Sequence, residues 1–438
     1  MLNACPQCQR TFPAEVSAFC PADGVALKPI AEVPIAKDPE DPIVGYTLAD
    51  RFEIRRVIAE GSMGRVYEAR LVGDDRRVAV KILHPQVAED QVNIERFRRE
   101  AETSRQLAHD YIVDVIDFAS VPGVPGRASR TWYLAMEYLD GEELRELLQR
   151  EKTLSLATMI RVLSQIALAL APAHTAGLVH RDMKPDNVFV VRDGDDVRVK
   201  LLDFGSVKFT RGQDRGHKLT VLGTTIGSPY YMAPEQAQGD PDLDHRADVW
   251  AVNAILYEAL VGRVPFKGSN GPQILFRILS DDPEPPTFAN DALPARIDDV
   301  IMKGFRKKPA DRYQSVGELA DALGHALGLK GSHAEWAVTP SAELLKQLPG
   351  SKAPPTLDTT TDKVNRPASG AHAQAQARPE PAAAAAAPPA AAPPPSTQEA
   401  YGDPDDFPVT QTSKTPMYAA IAAAAIVVIG GVVFLLTR

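Results

Sequence analysis

The run His180-Arg181-Asp182-Met183-Lys184-Pro185-Asp186-Asn187 constrains this chain more than any other stretch. It places a carboxylate (Asp182), a cation (Lys184) and an amide (Asn187) within one short loop. A strand-like Val197-Arg198-Val199-Lys200-Leu201-Leu202 follows, and then Asp203-Phe204-Gly205, a second carboxylate at a tight turn. Phosphoryl transfer needs these parts: a carboxylate to orient the attacking hydroxyl and accept its proton, a cation for the transferring phosphate, and oxygen ligands for a hard metal ion. An isolated His-x-Asp would carry little weight. The full pattern, with Asp203 at its set distance, is far more specific.

The flanking sequence supplies a matching frame. Phe52–Glu60, Arg65–Val72 and Arg76–Leu83 read as strands separated by glycines or by Gly73-Asp74-Asp75, and residues 91–108 read as an amphipathic helix. After Glu142 helical patterns dominate, as in Ala157–Ala176 and Asp248–Leu260. Strands followed by helices predict an α+β fold, with a small β-rich lobe joined to a larger α-rich one. Between the first strands lies Ile58-Ala59-Glu60-Gly61-Ser62-Met63-Gly64-Arg65-Val66, whose glycines allow backbone N–H groups to approach phosphate oxygens. Beyond it stands Val78-Ala79-Val80-Lys81.

These motifs together resemble the eukaryotic-like protein kinase superfamily over roughly residues 50–327, and the whole resembles bacterial Hanks-type Ser/Thr kinases. The resemblance implies a two-lobed protein kinase fold over 47–327, with ATP and Mg²⁺ as cofactors and proteins with Ser/Thr acceptors as substrates. It implies that Asp182 is the catalytic base, that Lys184 contacts the γ-phosphate, and that Asn187 and Asp203 bind Mg²⁺. Lys184 stands where tyrosine kinases carry an Arg-Ala pattern, which implies Ser/Thr specificity. Residues 58–66 would cover the phosphates, with Ala59 where the family's first glycine belongs, so altered nucleotide affinity is expected. Lys81, beyond Ala79, would hold the α/β-phosphates with Glu100 as its partner. Met136 would be the gatekeeper, and the backbones of Glu137 and Leu139 would bond adenine. Glu235, in the segment Gly227–Glu235, should pair with Arg312, and Asp248 should brace the catalytic loop. Arg181 would receive a phosphorylated Thr220, Thr224 or Thr225. The competing reading is a scaffold that binds nucleotide without transferring phosphate, and only Ala59 favours it.

The two ends differ from the middle. The chain has three cysteines among 438 residues, Cys5, Cys8 and Cys20, and with Asp23 they take zinc-ribbon spacing, which predicts a Zn²⁺ site in a module over 1–25. Residues 26–46 read as a spacer, because Pro29, Pro34, Pro39 and Pro42 block a continuous helix. Residues 328–416 turn rich in Ala and Pro and predict a disordered linker, with a reach of roughly 50 Å for its flexible part. Met417–Leu436 is uncharged and apolar, and as a helix it spans about 30 Å, a bilayer's hydrocarbon core. A single-pass anchor in the inner (plasma) membrane follows, with the kinase cytoplasmic because ATP is there; no signal peptide precedes the module. Small-xxx-small spacing at Ala419/Ala423 is compatible with helix pairing, and so with a homodimer that autophosphorylates. A net charge of −9 without a basic block argues against a nucleic-acid partner.

Overall fold

The computed structural model describes residues 2–348 of the chain, apart from 16, 37, 39, 75, 195, 205–207 and 210–228. At the N-terminus β1 (Leu2–Ala4), β2 (Thr11–Pro13) and β3 (Lys28–Pro29) form an antiparallel sheet in the order β2-β1-β3. Leu2, Ala4, Ile30 and Val33 make its own small apolar cluster. The Cys-containing unit thus runs past residue 25, its expected end. Nor is 26–46 a free spacer. Ile43 and Val44 are buried in the neighbouring lobe, and Asp41 accepts from the Tyr67 hydroxyl at 2.8 Å. Among the described residues of 26–46 the helical stretch is a single 3-10 turn, Ile30–Glu32, and tight turns such as Val44 N–H to the Asp41 carbonyl (3.1 Å) fold the rest so that its apolar residues lie against a sheet.

The N-lobe sheet consists of β4 (Thr47–Leu48), β5 (Phe52–Glu60), β6 (Gly64–Leu71), β7 (Arg77–Leu83), β8 (Val115–Val121) and β9 (Thr131–Glu137), with helix α1 (Gln91–Leu107) between β7 and β8. Its order is β4-β5-β6-β7-β9-β8, antiparallel throughout. Strand alternation sorts β7: Val78, Val80 and Ile82 enter one core, while Leu83 joins Phe97 and Ala101 of α1 in the other. Lys81 is in phase with Leu83, so it faces α1. The Asp90 side chain caps α1 by accepting from Val92 N–H.

The C-lobe begins with β10 (Gly141–Glu143), α2 (Leu144–Glu151) and α3 (Leu156–Thr175), followed by β11 (Leu178–Val179), β12 (Val188–Asp193), β13 (Asp196–Leu201) and β14 (Lys208–Phe209). Helices α4 (Pro234–Ala237), α5 (Arg246–Val261), α6 (Gly271–Ser280), α7 (Pro286–Ala289), α8 (Arg296–Gly304) and α9 (Val316–Ala326) complete it, with α10 (His333–Trp336) and α11 (Ser341–Gln347) beyond. Helix α3 is long and apolar enough to cross a membrane, but it is mostly buried within this lobe. Trp250 of α5 is fully buried, with Phe266 stacked at 5.7 Å and Phe305 edge-on at 5.1 Å.

The linker expected from residue 328 starts later. Trp336 and Leu344 are buried in the C-lobe core. Gln165 of α3 donates to the Ala337 carbonyl at 2.8 Å, and the Ser341 hydroxyl donates to Asp196 at 2.7 Å. A side chain at Gly324 would meet the Trp336 ring at 2.2 Å, so only glycine admits that ring. Scattered large apolar residues hold 328–348 to the lobe, where the compositional shift suggested release. The Ala/Pro-rich remainder and Met417–Leu436 lie outside the described residues.

Candidate active site

The β12–β13 hairpin brings the two aspartates together. Its register pairs Val188 with Leu201, so the residues before β12 and after β13 emerge side by side, and Leu202 N–H bonds the Asn187 carbonyl at 2.9 Å. Asn187, which bonds Asp182, therefore lies beside Leu202 and so next to Asp203 at the open end of the hairpin. Asp182 Oδ2 accepts from Lys184 Nζ at 2.8 Å and from Asn187 Nδ2 at 3.2 Å, and the same Nδ2 bonds the Asp182 carbonyl at 2.6 Å. With its nitrogen spent on Asp182, Asn187 has Oδ1 to offer a cation. Both Arg181 and Asp203 adopt left-handed backbone, φ 67° and 55°. Strain of this kind persists only where surroundings impose it. Asp248 imposes it at Arg181: fully buried, it accepts from His180 N–H at 2.8 Å, Arg181 N–H at 2.9 Å and His174 Nε2 at 2.8 Å. Burial alone would raise the Asp248 carboxyl, but the hydrogen bond and charge of His174, with the Arg181 N–H, hold it below the usual range. The His180 ring rests 4.9 Å from that of Phe204.

Above the hairpin, Lys81 Nζ bonds both oxygens of Glu100, at 3.0 and 3.1 Å. Burial pushes the Glu100 carboxyl up to about 7, Asp203 adding to the rise and Lys81 opposing it. Burial would lower Lys81, yet the charges of Glu100 and Asp203 outweigh it and raise its pKa. The Lys81–Glu100 pair thus lies within the field of Asp203. The loop of residues 58–66 is a hairpin closed by Gly61 N–H to the Gly64 carbonyl at 2.9 Å. A side chain at Gly64 would strike the Ile82 carbonyl at 2.1 Å. Ala59 sits exposed in β5 opposite Val66. Ile58, Glu60, Ser62, Met63 and Arg65 complete this hairpin, with Glu60 and Arg65 ion-paired. Ala79 lies on β7 opposite Met136. Glu137 is bound at its side chain by Lys200 (2.6 Å) and Asp114 N–H (2.9 Å), and it leads through Leu139 into the C-lobe.

Glu235 and Arg312 form a doubly bonded pair, 2.7 Å on each side, out of reach of water. Gln236 next door bonds the Arg181 carbonyl at 2.8 Å and so ties this segment to the loop that carries Asp182. Thr220, Thr224 and Thr225 lie outside the described residues. Several supporting side chains escaped sequence reasoning: His174, Lys200, and Arg145, which bonds Glu258 (2.9 Å), Tyr231 (2.6 Å) and Asp186 (3.2 Å) beside a cavity of about 600 Å³ that Lys184 also lines. No local motif marks them, because their partners lie far away in sequence.

At the N-terminus the ligand atoms of Cys5, Cys8, Cys20 and Asp23 lie within 4.8 Å of one another. Two similar knuckles build the cluster. Cys5 N–H bonds the Arg10 carbonyl (2.9 Å) and Gln9 N–H bonds the Cys5 carbonyl (3.0 Å), with Gln9 at φ 62°. Cys20 N–H bonds the Val25 carbonyl (2.8 Å) and Gly24 N–H bonds the Cys20 carbonyl (2.8 Å), with Gly24 at φ 68°. Asp23 thus occupies in the second knuckle the place of Cys8 in the first. Cys8 and Cys20 sulfurs are 3.6 Å apart, and Asp23 Oδ2 is 3.2 Å from the Cys5 sulfur. Burial raises the thiols of Cys8 and Cys20, the Asp23 carboxylate adding to the rise at Cys8. The hydrogen bonds of Cys8 and Cys5 lower Asp23.

Residues 52–325 match the family model described as the protein kinase domain. The serine/threonine-protein kinase pkn3 of Myxococcus xanthus is 38% identical over 279 residues, 63% of this chain and 50% of its own. The serine/threonine-protein kinase PknA of Mycobacterium tuberculosis is 38% identical over 282 residues, 64% of this chain and 62% of its own. The chain spans about half the length of the first curated relatives it matches. The crystal structure of the Mycobacterium tuberculosis PknI kinase domain superposes with a TM-score of 0.50 at 28% identity, covering 65% of this chain and 98% of that one.

Proposed function

This chain belongs to the protein kinase domain family, and we propose that it transfers the γ-phosphoryl group of ATP to Ser and Thr hydroxyls of proteins. The observation that carries this reading is the closed Lys81–Glu100 pair above a hairpin end that gathers Asp182, Asn187 and Asp203. The acceptor oxygen bonds the γ-phosphorus as the bond to the β–γ bridging oxygen breaks. Asp182 takes the hydroxyl proton, ADP leaves, and Lys184 offsets charge on the transferring group. Lys81 holds the α/β-phosphates, the 58–66 hairpin covers them, and Glu137 and Leu139 present backbone to adenine beside Ala79. Asn187 Oδ1 and the Asp203 carboxylate are hard oxygen ligands that fit Mg²⁺, whose charge, when bound, neutralises phosphate oxygens. Phosphoamino-acid analysis of a generic acceptor protein should give phosphoserine and phosphothreonine; phosphotyrosine alone would overturn the specificity drawn from Lys184.

The N-terminal cluster is a Zn²⁺ site of three thiolates and one carboxylate. Its support is the pair of matching knuckles, with ligand atoms close enough to share one ion. Zinc binding would strip the protons that burial otherwise keeps on the Cys8 and Cys20 thiols. Elemental analysis of the full chain should find about one zinc per molecule, lost in Cys8→Ser, and Asp23→Cys should tighten binding. Unchanged affinity in Asp23→Cys would remove Asp23 from the ligand set.

Met417–Leu436 anchors the chain by a single pass in the inner (plasma) membrane, with the kinase domain on the cytoplasmic side, where it serves membrane-associated signalling. The support is the length of the uncharged run. Deleting 417–438 should move the protein to the soluble fraction with transfer activity kept; a truncated protein that still pellets with membranes would place the anchor elsewhere.

A further inference from the structure

The N-terminal module is fastened to the N-lobe by polar contacts centred on a buried threonine. Thr11 is 2% exposed and donates through its N–H (3.1 Å) and its hydroxyl to the carboxylate of Glu68, itself fully buried on β6. Arg56 pairs with the same carboxylate at 2.6 Å. Arg77 Nη1 donates to the Thr11 carbonyl at 2.8 Å, its Nη2 reaches Asp140 at 3.3 Å, and its guanidinium carbon sits 4.3 Å from the centre of the Tyr138 ring. Arg77 opens β7, the strand that carries Lys81, while Tyr138 and Asp140 flank Leu139 in the segment assigned to adenine. One side chain therefore joins the module, the lysine strand and the segment 137–140 that leads from one lobe to the other, the hinge.

The place of Thr11 depends in turn on the first knuckle. Ala4 pairs with Thr11 across the sheet, and the Cys5 N–H holds the carbonyl of Arg10, the residue before Thr11. Leu2, Ala4, Ile30 and Val33 are too small a cluster to keep that shape by apolar burial. A metal across Cys5, Cys8, Cys20 and Asp23 would keep it.

We infer that zinc occupancy of the N-terminal module sets the ATP affinity of the kinase domain through Arg77, a positioning residue that ties Thr11 to the hinge. The inference rests on the nucleotide and zinc assignments made above. Without metal the knuckle opens, Thr11 withdraws, and Arg77 loses the carbonyl that fixes one side of its fork. The segment 138–140 is then held less firmly, and nucleotide must order it on binding.

The test uses the full chain, with zinc content and the Kd of a fluorescent ATP analogue in Mg²⁺ measured on the same samples. Stripping zinc from the wild type should weaken the analogue about fivefold or more. Zinc-loaded Arg77→Ala should keep its zinc, bind as weakly as the stripped wild type, and lose no further affinity when stripped. Arg77→Lys, which keeps a cation over Tyr138 without the fork, should fall between. Wild-type affinity in zinc-loaded Arg77→Ala overturns the inference, and so does unchanged affinity in stripped wild type. Should stripping unfold the chain, the zinc-loaded Arg77 variants decide by themselves. A wild type that takes up no zinc defeats the metal assignment and this inference together; a zinc-loaded wild type that binds no nucleotide defeats the nucleotide assignment.

Discussion

Asp182→Asn is expected to slow phosphoryl transfer about a thousandfold while leaving the fold and ATP binding in place. The amide has nearly the volume of the carboxylate and keeps one oxygen to accept from Lys184 and Asn187, which bond Asp182 Oδ2 at 2.8 and 3.2 Å. The loop is also held independently, through Asp248 at the backbones of His180 and Arg181. What the amide cannot do is take a proton from the acceptor hydroxyl. Single-turnover transfer from radiolabelled ATP, with melting curves of both proteins, checks this. Equal rates in variant and wild type would exclude Asp182 as the base.

The largest stability effect is expected at Arg312. Its side chain is fully buried and makes two bonds to Glu235, besides bonds to the carbonyls of Arg306, Arg246 and Lys307. Its guanidinium also lies 5.0 Å from the Trp250 ring centre. Arg312→Ala would leave the Glu235 carboxylate in the interior without its cation and several carbonyls without donors. Removing one partner of such a pair costs about 3–5 kcal/mol. Denaturant unfolding of the variant should show a loss in that range; one of about 0.5 kcal/mol, typical of an exposed ion pair, would contradict the buried role. Glu235→Gln in the Arg312→Met background should recover part of the loss, since no unpaired charge is then left inside.

The catalytic loop was legible in the sequence because its chemistry is local: Asp182, Lys184 and Asn187 lie within six positions, and one hairpin delivers Asp203. The strand that carries Lys81 and the helix that carries Glu100 were legible as elements, from the bounding turn residues and the amphipathic pattern, while the pairing of the two side chains was implied by the family resemblance. The docking of the module was not. Thr11 meets Glu68 across 57 positions and Arg77 across 66, and nothing periodic announces a buried threonine or a buried glutamate. Proline content and falling hydrophobicity both read as release from the fold, at 26–46 and at 328–348. In each case a few spaced apolar residues, Ile43 and Val44 or Trp336 and Leu344, were enough to hold the chain to a lobe. His174 was hidden for a further reason: its role exists only through Asp248, 74 positions away.

Ala59, where the family's first glycine belongs, makes it worth distinguishing a chain that transfers phosphate from one that merely holds nucleotide. The direct measurement follows one preparation of the full chain in Mg²⁺ for both binding of ATP and transfer of its labelled γ-phosphate to a generic protein acceptor. A phosphotransferase should show binding together with phosphate on Ser and Thr of the acceptor, at a rate far above that of Asp182→Asn. Saturable ATP binding with transfer no faster than in Asp182→Asn would contradict that reading and make the chain a nucleotide-binding scaffold.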